Sequence, residues 1–193
     1  MPMNKEEVLM KIFGGVTQGR AIDVGAHDGV FMSTTKAFED LGWWVLCIEP
    51  NPLLIPALLE NRKLVVQAAC GLENGTALLS VNKSRSQGMA SFTSTQYKLG
   101  GRDSAEFHVP VQVYTLTTLL ETIGVPNIDL LCIDAEGEEP EVLQGIDLER
   151  WTPKAICVED NKNFGYVGYL AKYGYEPVVS VQNDFIFARE VPE

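Results

Sequence analysis

Apolar residues recur at helical spacing over residues 4–13, where Val8, Leu9, Ile12 and Phe13 share one face and Gly14 with Gly15 supply a stop. The pattern then shifts to apolar runs of strand length at residues 21–24, 44–48 and 64–68, separated by segments long enough for helices. That alternation predicts parallel strands joined by helical crossovers. After Gly71 the rhythm changes: residues 76–81 and 107–113 read as strands, and the serine-, threonine- and glycine-rich stretch 84–104 between them predicts an inserted β-hairpin with a mobile tip. The alternation resumes with a helix over 116–123, a buried strand at 128–133, a helix opening at Glu138 or Pro140, and a strand at 155–158. A helix over 163–173 ends at Gly174, and the runs EPVVSV and DFIFAR form two short strands around a tight turn at Gln182 and Asn183. The prediction is an α/β fold with a mostly parallel sheet that closes in an antiparallel hairpin. No repeat or linker interrupts the pattern, so residues 1–193 read as a single domain.

Composition narrows the partners. With 193 residues, 46% of them apolar, the chain has material for one substantial core. A formal net charge of -11 repels nucleic acid and anionic membranes alike. Cys47, Cys70, Cys132 and Cys157 lie in or beside apolar runs without a CxxC pair, which reads as reduced core cysteines and a cytoplasmic location. The first fifteen residues are too broken by charge for a signal peptide or a membrane span.

The chemistry collects at strand ends, where ligands bind in open parallel sheets. The first strand ends in DVGAHDG, the second in IEPNP, the third in QAACG, the fourth parallel strand in IDAEGEE and the fifth in VEDN, so four of the five ends carry acids. Asp23 sits inside an apolar run, and Gly25 and Gly29 flank Ala26, His27 and Asp28. Glu49 lies 24 residues beyond Gly25, close to the spacing of about 20 at which a carboxylate meets ribose hydroxyls. A GxGxxG fingerprint would place glycine where His27 stands, which disfavours a pyrophosphate. A ligand with adenosine and an amino-acid group suits the site better: turn amides can meet its carboxylate, and the acids stabilise a positive charge. S-adenosylmethionine has those features.

The blocks IDVGAHDG, IEPNP, QAACGLENGTALL, VQVYTLTTLLE and especially IDLLCIDAEGEEPEVLQG resemble the FkbM-type, S-adenosylmethionine-dependent O-methyltransferases. The resemblance spans most of the chain and implies a three-layer α/β/α, Rossmann-like class I methyltransferase fold with a seven-stranded sheet. It further implies that Asp23, Gly25, Ala26 and Gly29 shape the pocket for the methionine part of the donor. Glu49 would hold the ribose hydroxyls, Pro50 and Asn51 would line that wall, and Ala69 with Cys70 would pack near the adenine edge. Asp134 would face the reacting methyl, Glu136 would follow it in the same loop, and Ser91 would fold over donor or acceptor. Cys132 and Ala135 depart from the lysine and valine common in the family at those places.

Methyl transfer from a sulfonium is an in-line displacement helped by alignment and by a base for the acceptor hydroxyl. Asp134 is the first candidate for that base, followed by Glu136 and His27. No metal is assigned; the alternative is a divalent cation shared by Asp134, Glu159 and Asp160. Structural roles compete: Asp23 or Asp134 as a cap, at least two of Glu136, Glu138 and Glu139 as charges favoured at a helix start, His108 as a strand residue, and Trp43, Trp44 and Trp151 in the core. The expected activity is transfer of a methyl group to a hydroxyl of a carbohydrate, or of a glycosylated or polyketide-like small molecule, by a monomer or homodimer. The alternatives are an NAD-dependent oxidoreductase, disfavoured by the missing GxGxxG and Tyr-x-x-x-Lys patterns, and a non-catalytic S-adenosylmethionine-binding module. A base-methylating enzyme is disfavoured because DAEG replaces the Asp/Asn/Ser-Pro-Pro-Tyr pattern.

Overall fold

Asn4 starts the first helix by accepting the Glu7 amide at 2.8 Å on its side chain, while the Glu7 carboxylate accepts the Asn4 amide in return. This reciprocal cap fixes α1 (Lys5–Phe13), whose face of Val8, Leu9, Ile12 and Phe13 is buried. The computed structural model describes residues 4–81, 91–93, 107–160, 163–181 and 183–189. Among the described residues no helix is long and apolar enough to cross a membrane.

After α1 come β1 (Arg20–Val24), α2 (Lys36–Asp40), β2 (Trp44–Ile48), α3 (Ile55–Asn61), β3 (Leu64–Val66), β4 (Ala69–Cys70), β5 (Gly75–Val81), β6 (Ser91–Thr93) and β7 (Phe107–Tyr114). The chain continues through α4 (Leu116–Ile123), β8 (Leu130–Ile133), α5 (Glu139–Gln144), β9 (Ala155–Glu159), α6 (Tyr166–Leu170) with a 3₁₀ turn at Ala171–Tyr173, β10 (Glu176–Val181) and β11 (Asp184–Ala188). The main sheet has the order β10-β11-β9-β8-β1-β2-β3. Strands β1, β2, β3, β8 and β9 run parallel, and β11 lies antiparallel to both β9 and β10. The chain winds outward from β1 to β3 and then returns to lay β8 on the other side of β1. A crevice for ligands opens at that reversal, outside the strand ends.

Alternation within the strands divides the core into two layers. Ile22, Val24, Leu46, Ile48, Leu131 and Ile133 face α4, α5 and Trp151, whereas Ala21, Val45, Cys47, Leu130, Cys132 and Cys157 face α1, α2 and Leu58 of α3. Phe13 meets Phe38 and Trp43 edge-on, with ring centroids 5.7 and 4.8 Å apart. All four cysteines are buried and outside disulfides, and burial pushes the Cys47 and Cys70 thiols up to about 12. Trp43 and Trp151 are core residues, and His108 sits in β7 with Nδ1 2.9 Å from the Ser80 hydroxyl.

Three elements differ from the sequence expectation. The run 64–68 does not form one strand: residues 64–66 stay in the main sheet, and Ala69–Cys70 leave it to pair in parallel with Val113 and Tyr114. The hairpin of β5 and β7 is thereby built up into a second sheet of order β4-β7-β5-β6, with its own apolar cluster of Ala69, Leu79, Val81 and Val111. Its expected tip falls largely on residues 82–90 and 94–106, which lie outside the described residues, as do the side chains of 91–93. The helical crossover expected between the first two strands begins only at Lys36, because the Asp28 side chain accepts the Val30 and Phe31 amides at 2.9 and 2.7 Å and holds a turn there. The helix expected over 163–173 starts at Tyr166, after Gly165 in the left-handed conformation.

Candidate active site at the strand reversal

The crevice is a cavity of about 160 Å³ at the carboxyl ends of β1, β2, β8 and β9, walled by β4, by β11 and by Lys5 of α1. Gly25 makes it possible. Its φ is +82°, and a Cβ there would lie 1.6 Å from the Asp134 carbonyl oxygen, so only glycine lets the ends of β1 and β8 approach this closely. Gly29 does a different job: with φ +83° it packs on Arg62 and Leu58, where a Cβ would lie 2.5 Å from Arg62 Cγ, and it does not line the cavity.

Four amides of the turn after β1 are occupied by internal hydrogen bonds. The Gly25 and Ala26 amides donate to the Ile48 carbonyl at 2.9 and 3.2 Å, the His27 amide to Glu49 Oε2 at 3.0 Å, and the Gly29 amide to the Ala26 carbonyl at 2.9 Å. The sequence expectation that turn amides meet a ligand carboxylate is therefore corrected for these four, which are committed to joining β1 to β2 or to closing the turn itself.

Glu49 is the anchor of this joint. It is buried at the end of β2, and its other oxygen accepts the Asn51 amide at 2.8 Å. Burial pushes its carboxyl up to about 7 despite the two amides that favour the charged form. Pro50 lines the cavity beside it, while Asn51 is buried outside it and accepts the Leu53 amide at 3.0 Å, which starts the turn into α3. Ala69 and Cys70 form the wall on the β4 side. Ser91 belongs to β6, with its side chain outside the described residues.

Asp23 occupies the middle of a row of thiols, paired in register with Cys47 on one side and Cys132 on the other. Thr35 donates its hydroxyl to Asp23 at 2.5 Å, Arg62 stands 3.7 Å away, and Arg62 also reaches Thr35 and Glu39. Burial raises the Asp23 carboxyl above its usual range, and Thr35 and Arg62 oppose the shift. This network ties the floor of the cavity to α2 and α3.

Asp134 and Glu136 stand on the opposite lip. Asp134 keeps solvent access, yet the chain around it desolvates its carboxyl enough to raise it, with Lys5 opposing and Asp184 and Glu139 adding to the shift. The Glu136 carboxyl is raised by partial burial and by Asp134 and Glu139, on a backbone with φ +52°. Glu139, fully buried at the start of α5, accepts the Ala135 and Gly137 amides at 2.9 and 2.8 Å and so holds this loop. Carboxylate oxygens of Asp134, Glu139 and Glu159 lie within 4.8 Å of one another, so Glu139 takes the place expected for Asp160 in that acidic group. The His27 ring lines the cavity against Phe31, 5.6 Å between centroids, with Nδ1 3.4 Å from Asp28 Oδ1.

Among the charged residues that line the cavity, Lys5 and Asp184 escaped the sequence reading. Lys5 reaches over the sheet from α1 and binds Asp184 of β11 at 3.0 Å. A signal for Lys5 existed, since it lies one turn before Leu9 and so shares the buried face of α1. Nothing in the pattern placed that helix beside this cavity.

The family model described as Methyltransferase FkbM domain matches residues 23–185. Among solved structures, methyltransferase FkbM from Methylobacillus flagellatus KT aligns with a TM-score of 0.60 at 12% identity, over 89% of this chain and 44% of that one. The METTL16 MTase domain aligns with a TM-score of 0.53 at 13% identity, over 97% and 69% of the two chains. A precorrin-6y C5,15-methyltransferase from Geobacter metallireducens GS-15 aligns with a TM-score of 0.50 at 14% identity, over 96% and 86%. The chain thus spans less than half the length of the Methylobacillus protein. No curated protein matches.

Proposed function

From the premise that the chain belongs to the FkbM methyltransferase family and has the class I methyltransferase fold, we propose that it methylates a hydroxyl of a carbohydrate, or of a glycosylated or polyketide-like small molecule. S-adenosylmethionine would supply an electrophilic methyl carried on a positive sulfur. The observation that supports this most is Glu49: a buried carboxylate at the end of β2, each oxygen fixed by one backbone amide and keeping acceptor capacity toward the cavity. Ribose hydroxyls would complete that capacity. Small side chains at Ala69 and Cys70 leave room for a base against the β4 wall. Asp23, Asp134 and Glu136 favour a cationic centre in the cavity, where charges act more strongly than in water.

Alignment of donor and acceptor is the largest contribution, with oriented intramolecular reactions indicating roughly 7–11 kcal/mol. Asp134, on the lip beside the β1 turn, would accept the hydroxyl proton as the new C–O bond forms, with Glu136 and His27 lining the same cavity. With a net charge of -11 the acceptor is a neutral or cationic small molecule rather than nucleic acid or a membrane surface, and the reading takes the enzyme to act in the cytoplasm as a monomer or homodimer.

Titration calorimetry with S-adenosylmethionine, S-adenosylhomocysteine and NAD tests this reading. The adenosyl compounds should bind, Glu49→Ala should weaken them about tenfold or more, and Asp134→Asn should lower turnover of a sugar or glycoside acceptor more than donor affinity. Binding of NAD alone would overturn it.

A further inference from the structure

A donor with an amino-acid end brings a carboxylate into a cavity that is hostile to anions. Asp23, Glu49, Asp134, Glu136 and Asp184 all line it. Most of the backbone donors that usually solve this problem are spent. On the β1 side, the amides of Gly25, Ala26, His27, Gly29, Val30 and Phe31 donate within the protein. On the β8 side, the Asp134 amide donates to the Val24 carbonyl, those of Ala135 and Gly137 to Glu139, and that of Glu138 to the Ala135 carbonyl.

Lys5 is the only lysine or arginine among the described residues that line the cavity. Its ammonium is held by Asp184 at 3.0 Å, and an ammonium has three hydrogens to donate, so capacity remains for a second anion. It stands over β9 and β11, on the far side of the strand reversal from Glu49, as the two ends of a nucleoside-linked amino acid require. The helix that carries it is capped at Asn4 and anchored by Leu9 and Phe13, so Lys5 is a positioned group rather than a loose surface charge.

We propose that Lys5 recognises the carboxylate at the amino-acid end of the donor, with Asp184 holding the ammonium in place. The assignment rests on the donor reading under Proposed function and adds the residue that selects an intact amino acid.

The test compares S-adenosylmethionine with its decarboxylated form, which differs only in that carboxylate. Five acids without a carboxylate clamp would favour the decarboxylated compound, which carries the greater positive charge. With Lys5 in this role, the wild-type protein binds S-adenosylmethionine more tightly, by about tenfold. Lys5→Met, which keeps the apolar stem, should lose that preference or reverse it, while Lys5→Arg should retain it. Wild-type protein that favours the decarboxylated compound, or a Lys5→Met protein weakened equally toward both, would overturn the assignment. Wild-type protein that binds neither overturns the donor reading, and this assignment with it. The wild-type preference decides the matter even where Lys5→Met fails to fold.

Discussion

Under the proposed function Glu49 would carry two functions in one carboxyl, and pH would separate them. Its value is pushed from 4.5 up to about 7 by burial, so between those values the folded chain keeps a proton that the unfolded chain releases. The contribution to stability is full below 4.5 and is lost as pH rises through 7, whereas a carboxylate able to accept ribose hydroxyls exists only above it. Donor affinity measured by calorimetry should therefore rise about tenfold from pH 6 to pH 8 as melting temperature falls, and Glu49→Gln should flatten both trends. Gly25 gives a sharper outcome: with the Asp134 carbonyl 1.6 Å from any added Cβ and φ at +82°, Gly25→Ala should cost on the order of 3 kcal/mol or more in chemical denaturation. Much of the site was legible at this scale. An acid inside an apolar run marked Asp23, and spacing marked Glu49. Illegible were the partners: Arg62 and Thr35 reach Asp23 from α3 and the start of α2, and the turn amides that looked available are consumed by Ile48 and Glu49.

At the scale of elements, α1 joins stability to the site. Leu9 is fully buried one turn beyond Lys5, and Leu9→Ala should cost about 2–5 kcal/mol in urea unfolding. Donor affinity should fall with it in protein that remains folded, because the same packing fixes Lys5; calorimetry on that variant checks the link. Elements with local punctuation were readable from the chain alone. Helix α4 begins where the Thr115 hydroxyl accepts the Thr118 amide at 3.0 Å and ends at Gly124 in the left-handed conformation, and both signals are in the sequence. The split of residues 64–70 between two sheets was not readable, because no glycine or proline breaks that run and its cause is pairing with Val113 and Tyr114, more than forty residues later.

For the whole molecule, binding and folding are linked through the strand reversal, where one ligand would touch β1, β2, β4, β8 and α1 together. S-adenosylhomocysteine at a hundred times its Kd should add about 2.7 kcal/mol and raise the melting temperature by roughly 5–10 °C, read in a thermal-shift assay, and NAD at equal concentration should leave it unchanged. The second sheet has a separate significance. Its root is only two residues long: Ala69 and Cys70 wall the cavity on one side and pair with β7 on the other, and Leu79, Val81 and Val111 cluster with Ala69. Strands β5 and β7 are therefore joined, through β4, to a wall of the cavity. Under the proposed function such a junction would act as a socket: a change in the chemistry of the second sheet would alter what is methylated while the cavity wall at Ala69 and Cys70 stays as it is.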